Sequence, residues 1–285
     1  MSLIPFQKTS GAGNTFVVVD DRNLPPDTDL AALARFACAD EREYGGADGF
    51  IAVSASQSND FVMHYYNKDG STGMMCGNGG RCAVRFAADH GYVSDSSTVA
   101  FANAGVPYRA ELTGRGVRLD FPDPIAIRPH NSISVEGRDV HYAFVDVGTP
   151  HVIIVTNSEE DISETDFDQL DVAHLGSAIR NHPTFAENGV NVNFVFLLPE
   201  KKGIRLRTYE RGVEAETGAC GTGAIASGMI AVLEHTLPAP VQVIPTSGSP
   251  LWIAFAVDSD RNVHNVSLEG GADILLEGEL HFPAA

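Results

Sequence analysis

Lysine is nearly missing from this sequence: Lys8, Lys68, Lys201 and Lys202 are the only four in 285 residues. With 19 Lys plus Arg against 37 Asp plus Glu, the formal net charge is −18. So negative a chain repels phosphate backbones and anionic headgroups, which excludes nucleic acid and acidic membrane surfaces as partners. Two settings fit the acidic excess: a high-salt cytosol, where screening removes self-repulsion, and an ordinary acidic enzyme. Long apolar runs are also missing, and none approaches the roughly 18 residues a membrane span needs. The opening Met1-Ser-Leu-Ile-Pro-Phe-Gln-Lys8 has no basic segment followed by an apolar one, so no signal peptide is expected. Cysteine is limited to Cys38, Cys76, Cys82 and Cys220, too few and too scattered for a disulfide framework. A cytoplasmic location is the expectation. No His/Cys cluster has metal-ligand spacing, so no metal site is expected.

What is present is a strand-rich pattern. Thr15–Asp20, Gly49–Val53, Asp60–Tyr66 and Gly116–Phe121 read as strands in the first half. Asn67-Lys-Asp-Gly70 reads as a turn, since Asp-Gly supplies the positive φ of a tight reversal. In the second half Ala143–Val147, His151–Val155, Asn191–Leu197, Gly203–Tyr209, Val241–Ile244, Leu251–Phe255 and Val263–Leu268 read as strands. Helices are fewer: one over Ala31–Ala37 behind acidic residues, one from about Asn78 to a stop at Gly91, and one from about Thr222 to His235. Each half therefore reads as many strands around one apolar helix. The recurring order of two strands, a Cys-Gly-x-Gly helix and a further strand suggests an internal duplication. At this length two domains of roughly 140 residues are expected, with the best boundary near Pro122-Asp-Pro124.

The repeated motifs are Cys76-Gly77-Asn78-Gly79 and Cys220-Gly221-Thr222-Gly223, about half a chain length apart. A thiol just ahead of a helix sits beside unpaired backbone N–H groups and the positive end of the helix dipole. Both favour a thiolate and a bound carboxylate. A lone Cys-Gly is usually a small buried residue at a turn; two matched ones point to a pair acting on one substrate. One cysteine as thiolate takes a proton from a carbon, and the other as thiol delivers one to the opposite face. The glycines let the backbone approach the ligand closely. Near the second motif, Arg211 at a strand end reads as a carboxylate clamp and Glu210 as an ammonium partner, with a surface ion pair as the bland alternative. Asn14, Asn67 and Asn191 are polar groups at strand ends, and His151 follows a Gly-Thr-Pro turn; each alone is more often structural. Cys82 is expected to be packed and inert.

Taken in order, Gly11-Ala-Gly-Asn14-Thr-Phe16, Gly45-Gly-Ala-Asp-Gly49, Asn67-Lys-Asp-Gly70, Met75-Cys-Gly-Asn-Gly-Gly-Arg-Cys82, Gly148-Thr-Pro-His151, Asn191-Val-Asn-Phe-Val195 and Glu210-Arg-Gly-Val with Glu216-Thr-Gly-Ala-Cys-Gly-Thr-Gly223 resemble the diaminopimelate epimerase family. The resemblance covers about residues 6 to 224. It implies an α+β fold of two similar pseudo-symmetric domains, each a strand-rich barrel-like sheet around a central helix, with the active site in the cleft between them. The domains would be 1–124, with 272–285 returning as its last strand, and 125–271. It implies interconversion of L,L- and meso-diaminopimelate in lysine and peptidoglycan precursor biosynthesis, without organic cofactor or metal, by a homodimer. Cys76 and Cys220 would be the acid/base pair, and Gly77, Asn78, Gly221 and Thr222 would hold the reacting carboxylate through backbone N–H groups. Asn14, Asn67, Asn191, Glu210 and Arg211 would read the distal amino-acid end, with His151 and Glu210 flanking the reacting centre. The chain departs from the common family pattern at Thr15, Gly49 and Thr149, and its loop from Glu210 to Cys220 is one residue longer.

The nearest alternative keeps fold and mechanism but acts on proline or hydroxyproline. Those relatives typically have His after the first Cys-Gly and Asp before the second motif, where this chain has Asn78 and Glu210-Arg211. A carboxylate-based isomerase of phenazine-type precursors would not need both cysteines. From another class altogether, a reversible Cys76–Cys220 thiol switch or a binding-only protein stands as a further reading.

Overall fold

The computed structural model describes residues 2–73, 75–93, 97–158, 162–185 and 187–283. The chain forms two compact units, Met1–Asp120 with Glu269–Ala285, and Phe121–Leu268. The first holds β1 (Ser2–Gly11), β2 (Asn14–Asp20), α1 (Leu30–Ala37), β3 (Gly49–Ala55), β4 (Phe61–Asn67), α2 (Gly77–Asp89), β5 (Thr98–Asn103), β6 (Val106–Thr113) and β7 (Gly116–Phe121). In the second are β8 (Ala126–Val135), β9 (Arg138–Asp146), β10 (Pro150–Val155), α3 (Glu164–Asp168), α4 (Val172–Arg180), β11 (Asn191–Leu197), β12 (Ile204–Glu210), β13 (Ala215–Thr217), α5 (Gly221–Leu233), β14 (Val241–Pro245), β15 (Leu251–Val257) and β16 (Val263–Gly270). The last strand, β17 (Asp273–Phe282), belongs to the first unit and pairs antiparallel with β1.

The two units are α+β structures that repeat one pairing scheme. In the first, β1 and β2 are antiparallel, β2 and β3 parallel, β3 and β4 antiparallel, β4 and β5 parallel, and β5 and β6 antiparallel. In the second, β9 and β10, β10 and β11, β11 and β12, β12 and β14, and β14 and β15 repeat that alternation. A parallel pair needs a crossover, and helices supply it: α1 between β2 and β3, α2 between β4 and β5, α4 between β10 and β11, α5 between β12 and β14. The duplication hinted at by two cysteine motifs is therefore written into the hydrogen-bond order.

The helix that follows each cysteine is wrapped by strands. α2 packs on β1, β2, β3 and β4, and α5 on β9, β10, β11, β12, β14 and β15. The sequence of α5, Gly-Thr-Gly-Ala-Ile-Ala-Ser-Gly-Met-Ile-Ala-Val-Leu, is apolar on every face, and its residues from Gly223 to Ala231 are all buried. The strands beneath are buried throughout rather than on alternate residues: Phe16 to Asp20 in β2 and Asn191 to Phe196 in β11 are buried residue after residue. Each fully buried Leu, Ile, Phe or Val contributes about 1.5–3 kcal/mol. A second layer lies outside, where Leu33, Ala34 and Ala37 of α1 pack with Val17, Val19, Phe50 and Ala52. Val172 and Ile179 of α4 pack with Val192, Phe194 and Tyr209 in the same manner.

The expected helices and strands are found, most with ends within about two residues, while β9 starts at Arg138, well ahead of the expected Ala143. Two short helices of the second half, α3 and α4, were not expected from the sequence. Both carried signals: Ser163 and Asp166 form a capping box at α3, and the Asp171 side chain accepts from His174 N at the start of α4. Short length and Gly176 within α4 hid its apolar spacing of Val172, Leu175 and Ile179. The strands β1, β5, β6 and β8 also escaped pattern reading, their alternation being diluted by polar residues.

Candidate active site

Cys76 is the N-cap of α2 and Cys220 the N-cap of α5, both in extended backbone with φ/ψ of −98/116 and −107/111. The helical ladders start at Gly80 N–H to Cys76 O (2.8 Å) and Ala224 N–H to Cys220 O (2.9 Å). The N–H groups of residues 77–79 and 221–223 thus have no carbonyl partner within their own helix. Cys220 Sγ accepts from Gly223 N–H at 3.4 Å and lies 3.5 Å from Thr222 Oγ1. None of the four cysteines is in a disulfide; Cys220 is buried and Cys76 half-buried. The other two are of a different kind: burial pushes Cys82 up to about 11 and Cys38 up to about 12, far from thiolate at neutral pH.

In the first unit the α2 terminus is joined to a chain of side-chain amides. Arg81, with no exposed surface, donates to Asn78 Oδ1 (3.1 Å), Gly77 O (3.3 Å) and Gly271 O (3.3 Å). Asn78 Nδ2 donates to Asn14 Oδ1 at 2.6 Å. Asn14, first residue of β2, is thereby brought to Cys76-Gly77-Asn78. Asn67 ends β4 and is engaged by Tyr65 Oη (3.3 Å) and Ser71 Oγ (2.9 Å). Thr15, where the family pattern has Asp, donates through N and Oγ1 to Asp48 Oδ2 at 2.8 and 3.1 Å.

The second unit gathers Glu210, His151, Asn191 and Arg211 near α5. Glu210 ends β12; burial raises its pKa, while hydrogen bonds from Thr217 Oγ1 and the Cys220 thiol pull it back. His151 is wholly buried and held neutral, its pKa depressed to about 3 by desolvation and then by the Arg211 charge. Asn193 Nδ2 must face the Val152 carbonyl (3.0 Å), so it also donates to His151 Nδ1 (3.1 Å). The imidazole proton therefore sits on Nε2, which is buried without a partner among the described residues. Thr208 Oγ1 completes the chain by donating to Asn193 Oδ1 at 3.0 Å. Asn191 Oδ1 accepts from Arg211 N–H (2.8 Å), and Arg211 Nη1 donates to Asn188 O (2.6 Å). The bland alternative of a Glu210–Arg211 ion pair is not what the described residues form; each has other partners.

Pattern reading passed over Arg81, Asn193, Thr208 and Thr217. Arg81 stood inside a quoted motif, and only its lack of a carboxylate at helical spacing marked it. Among the described residues no group of three His, Cys, Asp or Glu could hold a metal ion. No helix of the described residues is long and apolar enough to cross a membrane. A groove of about 1250 Å³ opens in the second unit between the β8–β9 hairpin and α4, reaching Ile230 and Glu234 at the far end of α5. None of the sequence-derived site residues lines it.

Known proteins fit this arrangement. The sequence model of the diaminopimelate epimerase family matches residues 6–112 and 143–271. The chain is 37% identical to a diaminopimelate epimerase of Aquifex aeolicus, over 96% of this chain and 97% of that protein. It is 36% identical to that of Chlorobaculum tepidum (95% and 99%) and 33% identical to that of Methanocella arvoryzae (98% of each). Among solved structures, a phenazine biosynthesis protein of the PhzF family from Bacillus anthracis aligns with a TM-score of 0.74 at 14% identity, over 99% of this chain and 100% of that one. A probable proline racemase from Agrobacterium radiobacter aligns with a TM-score of 0.68 at 15% identity, over 98% and 93%. At such identities these two speak for the fold alone. By family match and near full-length identity together, the chain belongs to the diaminopimelate epimerase family and is an enzyme.

Proposed function

We propose that the protein interconverts L,L- and meso-diaminopimelate by two-base proton transfer at Cα, with Cys76 and Cys220 as the bases. The observation that carries this reading is the pair of cysteines at the N-caps of the wrapped helices in two units of one pairing scheme. The substrate carboxylate accepts from the backbone N–H groups of Gly77, Asn78, Gly221 and Thr222. As Cα loses its proton, charge grows on that carboxylate, where fixed helix-terminal donors stabilise it. One cysteine enters as thiolate and leaves as thiol; the other gives its proton to the opposite face and becomes thiolate. The carbon thus exchanges one proton for another with inversion, and the enzyme is left poised for the reverse direction. No redox partner or organic cofactor is required by this scheme.

Asn14, Asn67, Asn191, Glu210 and Arg211 hold the distal amino-acid end, and His151 and Glu210 border the reacting carbon. A neutral His151 offers Nε2–H as a donor rather than serving as a base, which the depressed pKa supports. The pathway setting is lysine and peptidoglycan precursor synthesis in the cytoplasm. The active form is a homodimer, a reading to which exposed Leu3, Ile274 and Leu275 on β1 and β17 lend an apolar surface. Sedimentation at one and two chain masses separates the alternatives.

Incubating the reduced protein with L,L-diaminopimelate in D₂O tests the function. Deuterium entry at Cα together with meso product is expected, with proline and hydroxyproline inert. No exchange with any form of diaminopimelate, or turnover of proline instead, refutes it.

A further inference from the structure

A buried guanidinium with no carboxylate beside it is costly, because its desolvation is not repaid by an opposite charge. Arg81 is such a group: it has no exposed surface, and its hydrogen bonds go to neutral oxygens of Gly77, Asn78 and Gly271. Those three acceptors come from the helix start, from the neighbouring amide side chain and from the segment leading into β17.

The chemistry of the partners fixes a direction. A guanidinium only donates, so the oxygen of the Asn78 amide must face it. The Asn78 nitrogen then points to Asn14, which must answer with its own oxygen, as the 2.6 Å contact shows. Asn14 is left with Nδ2, two N–H donors, on its far side. Without Arg81 the donor that holds the Asn78 oxygen is lost, and a half-turn of both amides lets Asn14 present an acceptor instead. An acceptor turned toward a carboxylate repels it; a donor binds it.

We propose that Arg81 is a positioning residue: through Asn78 it sets the polarity of Asn14, so that Asn14 offers a hydrogen-bond donor to a substrate carboxylate. The proposal rests on the reading above that Asn14 contacts substrate. Gly271 O anchors the far side of the guanidinium, so the return segment of the first unit takes part in holding the site.

The test is a double-substitution cycle in the full-length protein, read by kinetics and by side-chain amide NMR. Asn14→Ala sets the scale with a KM raised about tenfold. Arg81→Met is expected to raise KM by a comparable factor with kcat within about threefold. The double variant is expected to be no worse than Asn14→Ala alone, because Arg81 acts through Asn14. Arg81→Lys keeps the charge without the fork, and its KM is expected between wild type and Arg81→Met; it serves if Arg81→Met does not fold. Without any substrate, the Asn78 side-chain N–H exchanges slowly in the wild type and at least about tenfold faster in either Arg81 variant. Unchanged KM in both Arg81 variants, multiplied effects in the double variant, or unaltered Asn78 exchange overturns the relay. If Asn14→Ala keeps its KM while Asn78 exchange still responds to Arg81, the substrate role of Asn14 fails instead, and with it the proposal.

Discussion

Around the first turn of α2 the neighbours of Gly79 are Phe16, Ile51 and Met63, each 3.3–3.5 Å from where a Cβ would stand. At the matching glycine of α5, Gly223, a Cβ would fall 2.4 Å from Asn193 Oδ1. Strand register shows that these walls occupy equivalent places. The row Val18–Ile51–Tyr65 in the first unit corresponds to Ile153–Asn193–Thr208 in the second, and Phe16 beside Gly49 corresponds to His151 beside Asn191. An apolar and aromatic lining has thus been exchanged for a hydrogen-bonded polar one on an unchanged backbone. The charged group differs as well: a fully buried cation, Arg81, on α2 and a half-buried carboxylate, Glu210, near α5. The lesson is that the fold supplies two like sets of backbone donors, while the side chains give the two cysteines unlike surroundings.

Replacing Asn193 by Leu makes the second unit resemble the first and is expected to have the largest effect of these changes. His151 Nδ1 and the Val152 carbonyl lose their donor, which costs about 1–3 kcal/mol of stability. With the imidazole free to change tautomer, kcat/KM is expected to fall about 100-fold; denaturant melts and steady-state kinetics check both. Next, Gly223→Ala and Gly79→Ala form a matched pair. The first forces Asn193 aside and is expected to cost about 1–3 kcal/mol and at least about tenfold in kcat/KM. The second meets only side-chain ends, the tightest being the Phe16 ring at 3.3 Å, which must give by a few tenths of an ångström, so its stability should stay within about 1 kcal/mol of wild type. Equal effects would show that the two walls are not different in the way described.

The neutral His151 has a pH consequence. Its folded pKa of about 3 lies below the ordinary 6.5, so between those values the unfolded chain binds a proton that the fold refuses. That contribution to stability is complete above pH 6.5 and declines as pH falls, by up to about 1.4 kcal/mol per pH unit. His151→Asn should flatten this part of the stability profile, with no comparable change from substituting Phe16 in the first unit. The smallest effect expected is global: if the charge of −18 reflects a high-salt setting, the melting temperature rises by a few degrees between about 0.1 and about 2 M KCl. A flat response leaves an ordinary acidic enzyme.

Much of this was legible because it is local. A cysteine followed by glycine and an apolar stretch announces a helix terminus wherever it falls, and Asn14, Asn67, Asn191 and Glu210 do stand at strand ends as their neighbours in sequence suggest. The relays were not legible because they cross the fold. Arg81 meets Gly271, and Asn193 meets His151 and Thr208, only once parallel strands and the return segment have assembled. An asparagine inside the apolar run Asn191–Leu197 reads as a strand residue until its two ends are seen to be spoken for. Arg211 was read as a clamp for its charge, yet its backbone N–H, invisible to charge reasoning, is what fixes Asn191.

The central claim, one thiol for each face of Cα, is tested most directly by solvent exchange in the single cysteine variants. Cys76→Ala and Cys220→Ala are each incubated with L,L- and with meso-diaminopimelate in D₂O, and Cα deuterium is followed by NMR. Each variant should lose epimerisation by about a thousandfold or more, while the remaining thiol still exchanges the α-proton of one stereoisomer, a different one for each variant. Exchange of both isomers by either variant, or full epimerisation by a protein lacking one of the two cysteines, would contradict the account.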